Sequence, residues 1–209
     1  MIEADPPVAS TMFGDRIVLA RRFAHDLGEQ GEPLGLIGPM EPARLWSRHI
    51  LNSALVAPLL RPGLVADVGS GAGLPGLVLA IARPDVSFVL IEPMERRVTW
   101  LNDQVASLGL RNVEVVRSRA EDVDRRGEFD QVTARAVSGL RTLIPLTVPL
   151  LRPGGELVLM KGAGAEREIA AAGKAISRFK LKDVEVIELG EGIVDEPTRV
   201  VRGMRSPAR

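Results

Sequence analysis

Residues 65–76 constrain the fold more than any other part of the chain, because an apolar strand leads directly into a glycine-rich loop. The run reads Val-Ala-Asp-Val-Gly-Ser-Gly-Ala-Gly-Leu-Pro-Gly. Glycine permits positive φ angles and lets a ligand approach bare backbone. The helix expected after the loop presents unpaired N–H groups to an electron-rich ligand. The run therefore predicts a strand–loop–helix unit that binds a nucleoside-type cofactor.

The charges around this loop bear on which cofactor binds. Gly71, Gly73 and Gly76 satisfy the G-x-G-x-x-G spacing, which alone is weak evidence for a dinucleotide. Asp67 ends the first strand, where a carboxylate repels a pyrophosphate and attracts an ammonium or sulfonium group. Glu92 ends the next strand, where acidic residues bind a ribose diol. These residues favour S-adenosylmethionine, with NAD binding or a tight turn without a ligand as alternatives.

Strands and helices alternate after residue 63, which predicts a doubly wound parallel sheet. The predicted strands are 64–68, 86–91, 112–116, 129–134 and 156–160, and the helices between and after them are 75–83, 94–108, 139–150 and 165–178. Two further strand-like segments, 182–189 and 199–204, are joined by a loop too short for a helical crossover, so we expect them to be antiparallel.

This pattern is typical of the class I S-adenosylmethionine-dependent methyltransferase fold, a Rossmann-like, mainly parallel sheet with a C-terminal antiparallel strand. Two helices, 13–28 and 42–57, are predicted before the sheet. We therefore expect an N-terminal helical extension over residues 1–62 and a single compact core over residues 63–209.

The composition limits the functional classes. Basic and acidic residues balance at 27 each, so no global field attracts nucleic acid and any RNA contact must be local. The absence of cysteine excludes a thiol nucleophile and cysteine-ligated zinc, and no metal site is predicted. Met1–Ser10 lacks signal-peptide character and no apolar run is long enough for a membrane span, which predicts a cytoplasmic protein without membrane contact.

Other candidate site residues follow the later strands, since ligands of such sheets bind beyond the carboxyl ends of the strands. Ala120 and Glu121 follow the third strand, where an adenine ring is expected. Arg135 follows the fourth strand and Lys161 the fifth, and both are candidates for orienting RNA during catalysis. The candidates for RNA binding are Arg48, His49, Arg199 and Arg202.

Missing motifs exclude several methylation reactions. An Asn/Asp-Pro-Pro-aromatic motif, typical of amino-group methylation, is absent after the fourth strand, and pyrimidine C5 methylation needs a cysteine. Ribose 2′-O methylation typically uses a Lys-Asp-Lys-Glu set, and only one member of that set, Lys161, is suitably placed in this chain. The remaining chemistry is attack by an atom that is already nucleophilic at neutral pH.

Several segments together resemble one family, glucose-inhibited division protein B, the bacterial 16S rRNA guanine-N7 methyltransferases, in its actinobacterial form. The similarity covers residues 12–205 and rests on Leu-Ile-Gly-Pro at 36–39, Leu-Trp-Ser-Arg-His-Ile-Leu-Asn at 45–52, the loop at 67–76, Ala-Arg-Ala-Val at 134–137 and Met-Lys-Gly at 160–162. It implies methyl transfer from S-adenosylmethionine, leaving S-adenosylhomocysteine, to N7 of one guanosine in the decoding region of 16S rRNA.

Carried over by motif, the family's cofactor contacts fall on Gly69, Leu74, Ala120, Glu121 and Arg135. The implied partner is 16S rRNA within the 30S subunit or an assembly intermediate, and we expect a monomer. Two other functions stay open: a noncatalytic RNA- or nucleotide-binding module that retains the cofactor pocket, and an NAD-dependent oxidoreductase.

Overall fold

A computed structural model describes residues 1–207, and within them a seven-stranded sheet forms the centre of the molecule. Its strands are β1 (Leu64–Val68), β2 (Ser87–Ile91), β3 (Val113–Val116), β4 (Phe129–Arg135), β5 (Leu151–Lys161), β6 (Leu181–Leu189) and β7 (Thr198–Arg205). They lie in the order β3-β2-β1-β4-β5-β7-β6. β1 to β5 are parallel, and β7 runs antiparallel to both β5 and β6. The predicted parallel sheet and its antiparallel ending are confirmed.

The helices cover both faces of this sheet. They are α1 (Val8–Phe13), α2 (Ile17–Gln30), α3 (Leu51–Ala54), α4 (Gly76–Ala82), α5 (Glu95–Leu108), α6 (Leu140–Thr147), α7 (Ala165–Ala171) and α8 (Gly173–Arg178). α5 follows from its sequence, because apolar residues recur every three or four positions and Gly109, at φ 62°, ends the helix in the left-handed conformation.

Alternate residues of each strand point to opposite faces, and each face has its own core. Val65 of β1 packs with Leu77 and Leu101 on the face covered by α1 to α5. Ala66 and Val68 pack on the other face with α6, α7 and α8. Asp67 points to the same face as Val65, which places its carboxylate under the start of α4.

The N-terminal helices share the first of these cores. Phe13 and Phe23 lie in the same cluster as Leu77 of α4. The Arg16 Nε–H group also donates to the Ile81 carbonyl at 2.7 Å. The extension therefore packs on the face of the sheet that carries α4 and α5.

The path of the extension differs from the predicted helices. A 3-10 turn at Gly14–Arg16 separates α1 from α2, because Gly14 adopts φ 51°. The predicted continuous helix 42–57 is wrong: the chain forms a 3-10 turn, a π turn at Trp46–Ile50 and then α3. A π turn often marks a functional site, and this one carries Arg48 and His49.

Three boundaries in the core also differ. β5 begins at Leu151 rather than residue 156, since Leu151 pairs with Phe129 before the Pro-Gly-Gly irregularity. The predicted helix 139–150 consists of α6 followed by a 3-10 turn that contains Pro149. The predicted helix 165–178 is divided at Ala172 into α7 and α8. Among residues 1–207, no helix combines the length and apolarity needed to cross a bilayer.

Candidate active site

The glycine-rich loop presents open backbone at the carboxyl end of β1. Gly71 adopts φ 53°, and a Cβ atom built there would have only the Gly69 carbonyl oxygen nearby, at 3.8 Å, among the described residues. The loop is anchored from below, because the N–H groups of Gly69 and Ser70 both donate to the Ile91 carbonyl. A ligand can therefore lie against Gly71, where any side chain would occupy its space.

Asp67 lies beneath this loop and is fully buried. Its Oδ2 accepts a hydrogen bond from the Gly76 N–H at 3.1 Å, and its Oδ1 accepts one from the Thr133 hydroxyl at 3.0 Å. Burial raises the pKa of Asp67 to about 6, and the charge of Glu92 also raises it, although these two hydrogen bonds lower it. The carboxylate thus ties the loop to α4 and β4, and its predicted attraction for a cationic ligand stays a prediction.

Glu92, at the end of β2, is only 2% exposed and holds the same loop from the other side. Its Oε2 accepts from the Gly71 N–H at 3.0 Å, and its Oε1 accepts from the Met94 N–H at 2.9 Å. The guanidinium of Arg97 lies 3.8 Å from Oε2. Two residues of the predicted cofactor set, Gly71 and Glu92, are therefore in direct contact, while the predicted ribose contact of Glu92 stays a prediction.

The remaining predicted cofactor residues border the same edge of the sheet. Leu74 is half-buried at the rim of the first core. Ala120 and Glu121 form a 3-10 turn after β3; Ala120 is half-buried and Glu121 is exposed. Their predicted contacts with an adenine ring stay predictions.

The chemistry of this edge suits a cationic nucleoside ligand. Gly71 leaves room for the ligand, the Glu92 carboxylate bonds the Gly71 N–H group, and the Asp67 carboxylate bonds the Gly76 N–H group where the loop enters α4. Two neighbouring carboxylates disfavour a pyrophosphate and favour an ammonium or sulfonium group. S-adenosylmethionine carries both cations, so the residues present fit this cofactor.

Arg135, at the end of β4, contacts the N-terminal extension. Its Nη2–H donates to His49 Nδ1 at 2.5 Å and to the Arg48 carbonyl at 3.3 Å, and its Nη1–H donates to the Ser53 hydroxyl at 3.4 Å. Burial, together with the charge of Arg48, lowers the pKa of Arg135 to about 10, so it is a cation at neutral pH. Its predicted role as a cofactor or phosphate contact stays a prediction.

His49 lies inside the protein rather than on the predicted RNA-facing surface. It is 9% exposed, and its Nε2 lies 2.5 Å from Glu41 Oε2. Burial and the charges of Arg135 and Arg48 lower the pKa of His49, although Glu41 opposes them. The neutral ring accepts from Arg135 at Nδ1 and donates from Nε2 to Glu41, which forms a chain of hydrogen bonds from Glu41 to Arg135.

Lys161, at the end of β5, is also committed to protein partners. Its side chain is 9% exposed, and its ammonium donates to the Ser138 carbonyl at 2.6 Å and pairs with Glu168 at 2.8 Å. Glu168 in turn accepts from the Leu140 N–H. Although burial raises the pKa of Glu168, the bonds from Lys161 and Leu140 bring it below its ordinary value. Lys161 therefore fixes the segment after β4, and its predicted orientation of RNA would require these bonds to be exchanged.

Three arginines were predicted to bind RNA, and they differ from one another in their pairing with carboxylates and in their exposure. Arg202 pairs with the buried carboxylate of Glu156, with its Nε 2.7 Å from Oε1. Arg199 pairs with Glu188 at 2.6 Å, and Arg48 keeps about half of its side chain exposed. Arg48 and Arg199 both line a cavity beside Arg135 and Lys161.

This cavity has a volume of about 810 Å³ and lies at the carboxyl ends of β4 and β5. Val137 on its wall packs closely against Gly69, which places the cavity beside the glycine-rich loop. The extension forms one wall through Arg48 and Asn52, and the start of β7 forms another through Thr198 and Arg199. We call it the β4–β5 cavity. A second cavity of about 820 Å³ lies at the opposite edge of the sheet, near Phe179 and Arg205, and holds none of the predicted site residues.

Sequence reasoning missed three residues that matter here. Thr133 bonds Asp67 because the two are paired in register across β1 and β4. Glu41 pairs with His49 Nε2, but it lies in a turn that has no recognisable sequence motif. Asn52 lines the β4–β5 cavity one turn after Arg48, and this i,i+4 spacing was the only signal in the sequence.

Comparison with known proteins gives one family. A family model described as rRNA small subunit methyltransferase G, GidB, matches residues 16–196. The ribosomal RNA small subunit methyltransferase G of Clavibacter michiganensis is 69% identical over 202 residues, which cover 97% of this chain and 96% of that protein. The protein of the same description from Mycobacterium sp. (strain JLS) is 46% identical over 207 residues, covering 97% and 92%.

Solved structures agree on the fold. A SAM-dependent methyltransferase from Aquifex aeolicus aligns with a TM-score of 0.57 at 21% identity, covering 78% of this chain and 93% of that one. M. jannaschii TYW2 in complex with AdoMet aligns with a TM-score of 0.61 at 20% identity, covering 78% of each chain. The chain has the class I methyltransferase fold.

Proposed function

Because the chain belongs to the rRNA small subunit methyltransferase G family, we propose that it transfers a methyl group from S-adenosylmethionine to N7 of a guanosine in the decoding region of 16S rRNA. One observation carries the assignment of the cofactor. The glycine-rich loop, with open backbone at Gly71, is held by two buried carboxylates, Glu92 at Gly71 and Asp67 at Gly76, which suit a cationic nucleoside.

S-adenosylmethionine supplies an electrophilic methyl group on a sulfonium. Guanine N7 holds an in-plane lone pair and no proton, so this acceptor requires no general base. The crevice fits a reaction that needs no general base, because His49 and Lys161 are both bonded to protein partners. Neither is free to remove a proton in this arrangement.

Positioning then supplies most of the rate, and well-aligned reactants gain roughly 7–11 kcal/mol in this way. Positive charge moves from sulfur to the guanine during transfer, so a cation touching N7 would hinder the reaction. The chain of hydrogen bonds from Glu41 through His49 holds the Arg135 guanidinium against the extension. We assign Arg135 to holding the cofactor or an RNA phosphate rather than to contacting N7.

The proposal extends to the setting of the reaction. The substrate is 16S rRNA within the 30S subunit or an assembly intermediate, and the enzyme acts as a monomer in the cytoplasm. Residues 1–62 supply a wall of the β4–β5 cavity through Arg48 and Asn52, which supports a role for the extension in RNA binding.

The two alternative functions make different predictions. An NAD-dependent oxidoreductase would bind a diphosphate, which the carboxylates of Asp67 and Glu92 disfavour. Calorimetry should show S-adenosylhomocysteine binding and no response to NAD. A noncatalytic module would bind S-adenosylhomocysteine but transfer no methyl group to either deproteinised 16S rRNA or 30S subunits.

Mass spectrometry of 16S rRNA from cells that lack the protein tests the proposed reaction. We expect one N7-methylguanosine to disappear from the decoding region and to return when the intact gene is restored, but not when the Gly71→Val variant is supplied. Persistence of every N7-methylguanosine in the deletion strain would reject the assignment.

A further inference from the structure

Two residues on the wall of the β4–β5 cavity each carry a buried polar atom that has no protein partner. Among residues 1–207, the Asn52 Oδ1 and Ser138 Oγ atoms are both buried and without a hydrogen-bond partner, and both residues line this cavity. Buried polar atoms are nearly always paired in native proteins. Two such residues on one cavity wall point to a polar ligand that pairs with these atoms when the side chains turn towards it.

The orientation of the Asn52 amide follows from its neighbours. Its Nδ2–H donates to the Arg48 carbonyl at 3.1 Å. A carbonyl oxygen only accepts hydrogen bonds, so the nitrogen must face Arg48 and the oxygen must face away. The unpaired atom of Asn52 is therefore an acceptor, and the ligand group that satisfies it must be a donor.

A guanine base offers such a donor at the end opposite to its reactive atom. The Watson–Crick edge carries the N1–H and the 2-amino group as donors and O6 as an acceptor, whereas N7 lies on the other side of the purine. A residue that holds the 2-amino group therefore leaves N7 free to face a methyl donor. The Ser138 hydroxyl can donate to an acceptor of the same ligand.

We propose that the β4–β5 cavity holds the target guanine and that Asn52 Oδ1 accepts a hydrogen bond from its 2-amino group. Asn52 thus selects guanine and positions it for reaction, and this inference rests on the proposed guanine-N7 transfer. The basic side chains of Arg48 and Arg199 at the cavity wall suit the adjoining phosphates.

The test uses 16S rRNA ligated with either guanosine or inosine at the target position, because inosine lacks only the 2-amino group. The substrate is deproteinised or reconstituted into 30S subunits, whichever form the wild-type enzyme methylates. We expect wild type to prefer guanosine over inosine by about tenfold in kcat/KM, the effect of one lost hydrogen bond.

Three variants identify the residue responsible. Asn52→Leu keeps the size of the side chain but removes the acceptor, so its preference for guanosine should vanish. Asn52→Asp keeps an acceptor oxygen but loses the donor to the Arg48 carbonyl, so it should retain the preference at a lower overall kcat/KM. Gln104→Leu is the matched control, since its Oε1 is also a buried unpaired amide oxygen among the described residues but lies outside this cavity; it should retain the wild-type preference.

Each outcome decides the inference. Equal rates of wild type on guanosine and inosine, or an undiminished preference in Asn52→Leu, would overturn the role of Asn52. If wild type transfers no methyl group to N7 of either base, the proposed function fails and this inference fails with it. Thermal unfolding and S-adenosylhomocysteine affinity report whether Asn52→Leu folds. If it does not fold, Asn52→Ala takes its place. The comparison of wild type on guanosine and inosine can refute the inference without either variant.

Discussion

Replacing Asp67 with asparagine should stabilise the folded protein and weaken cofactor binding. The folded protein holds a proton on Asp67 up to about pH 6, whereas an ordinary aspartate releases it near 3.8. Between these values the folded state binds more protons than the unfolded chain, so the free energy of unfolding falls as the pH rises. Above pH 6 the buried charge is a net cost to folding.

The size of that cost follows from the two pKa values. At roughly 1.36 kcal/mol per pH unit, the difference amounts to about 3 kcal/mol at pH 8. Asparagine carries no charge, and its oxygen can still accept from the Gly76 N–H. Its amide can donate to the Thr133 hydroxyl, which already lies 3.4 Å from the Ala66 carbonyl and can donate there. We therefore expect Asp67→Asn to gain up to about 3 kcal/mol, or roughly 6–12 °C in Tm.

Urea unfolding followed by circular dichroism at pH 8, 6 and 4 measures this gain. The advantage of Asp67→Asn should be largest at pH 8 and should shrink towards pH 4. Asp130→Asn is a control of opposite sign: although burial raises the pKa of Asp130, its bonds with the Leu64 N–H and Arg152 bring it below the ordinary value. That variant should lose stability at pH 8 and recover relative to wild type as the pH falls.

Calorimetry with S-adenosylmethionine completes the experiment. Loss of the Asp67 charge should weaken binding about tenfold or more, the scale of a hydrogen bond to a charged group. A variant that is no more stable than wild type at pH 8, or whose advantage does not change with pH, would show that the buried charge of Asp67 does not destabilise the folded protein. Equal affinity for S-adenosylmethionine would refute the attraction between Asp67 and the cofactor.

Two further changes probe the loop and the hydrogen-bond chain. Gly71→Val should abolish S-adenosylmethionine binding, measured by calorimetry, because its side chain fills the space of the ligand. Gly109→Val, at a similar positive φ outside the site, should strain the fold comparably but leave binding intact. Loss of binding in both variants would contradict the proposal that the ligand lies against Gly71. Burial and the charge of Arg135 hold the pKa of His49 below its ordinary value of 6.5, so the ring becomes protonated only at more acidic pH. Protonated His49 can no longer accept from Arg135, so wild-type methylation should fall in that acidic range, whereas His49→Asn, which accepts without titrating, should lack this fall in a pH–rate profile.

Local patterns predicted the parts of the fold that depend on neighbours in sequence. The β1 strand, the glycine-rich loop, the Gly109 end of α5 and the β6–β7 hairpin all follow from residue types and short spacings. The division of the extension at Gly14 and the π turn did not follow. There, packing against the sheet decides the path of the backbone, and tertiary contacts override local preference.

The site was harder to predict because its side chains find partners far along the chain. Asp67 and Thr133 are 66 positions apart, and His49 and Arg135 are 86 apart. Residue types indicated which groups carry charge, but only the register of β1 with β4 and the docking of the extension determine which charges are already paired. Lys161 shows the same effect, since its partner Glu168 comes from the following helix.

The decisive experiment incubates the purified protein with S-adenosylmethionine labelled in its methyl group and with 16S rRNA or 30S subunits from cells that lack this protein. Mass spectrometry of the digested RNA should locate one labelled methyl group on N7 of a guanosine in the decoding region. Label on any other atom or base, or no label with either substrate, would contradict methyl transfer to guanine N7.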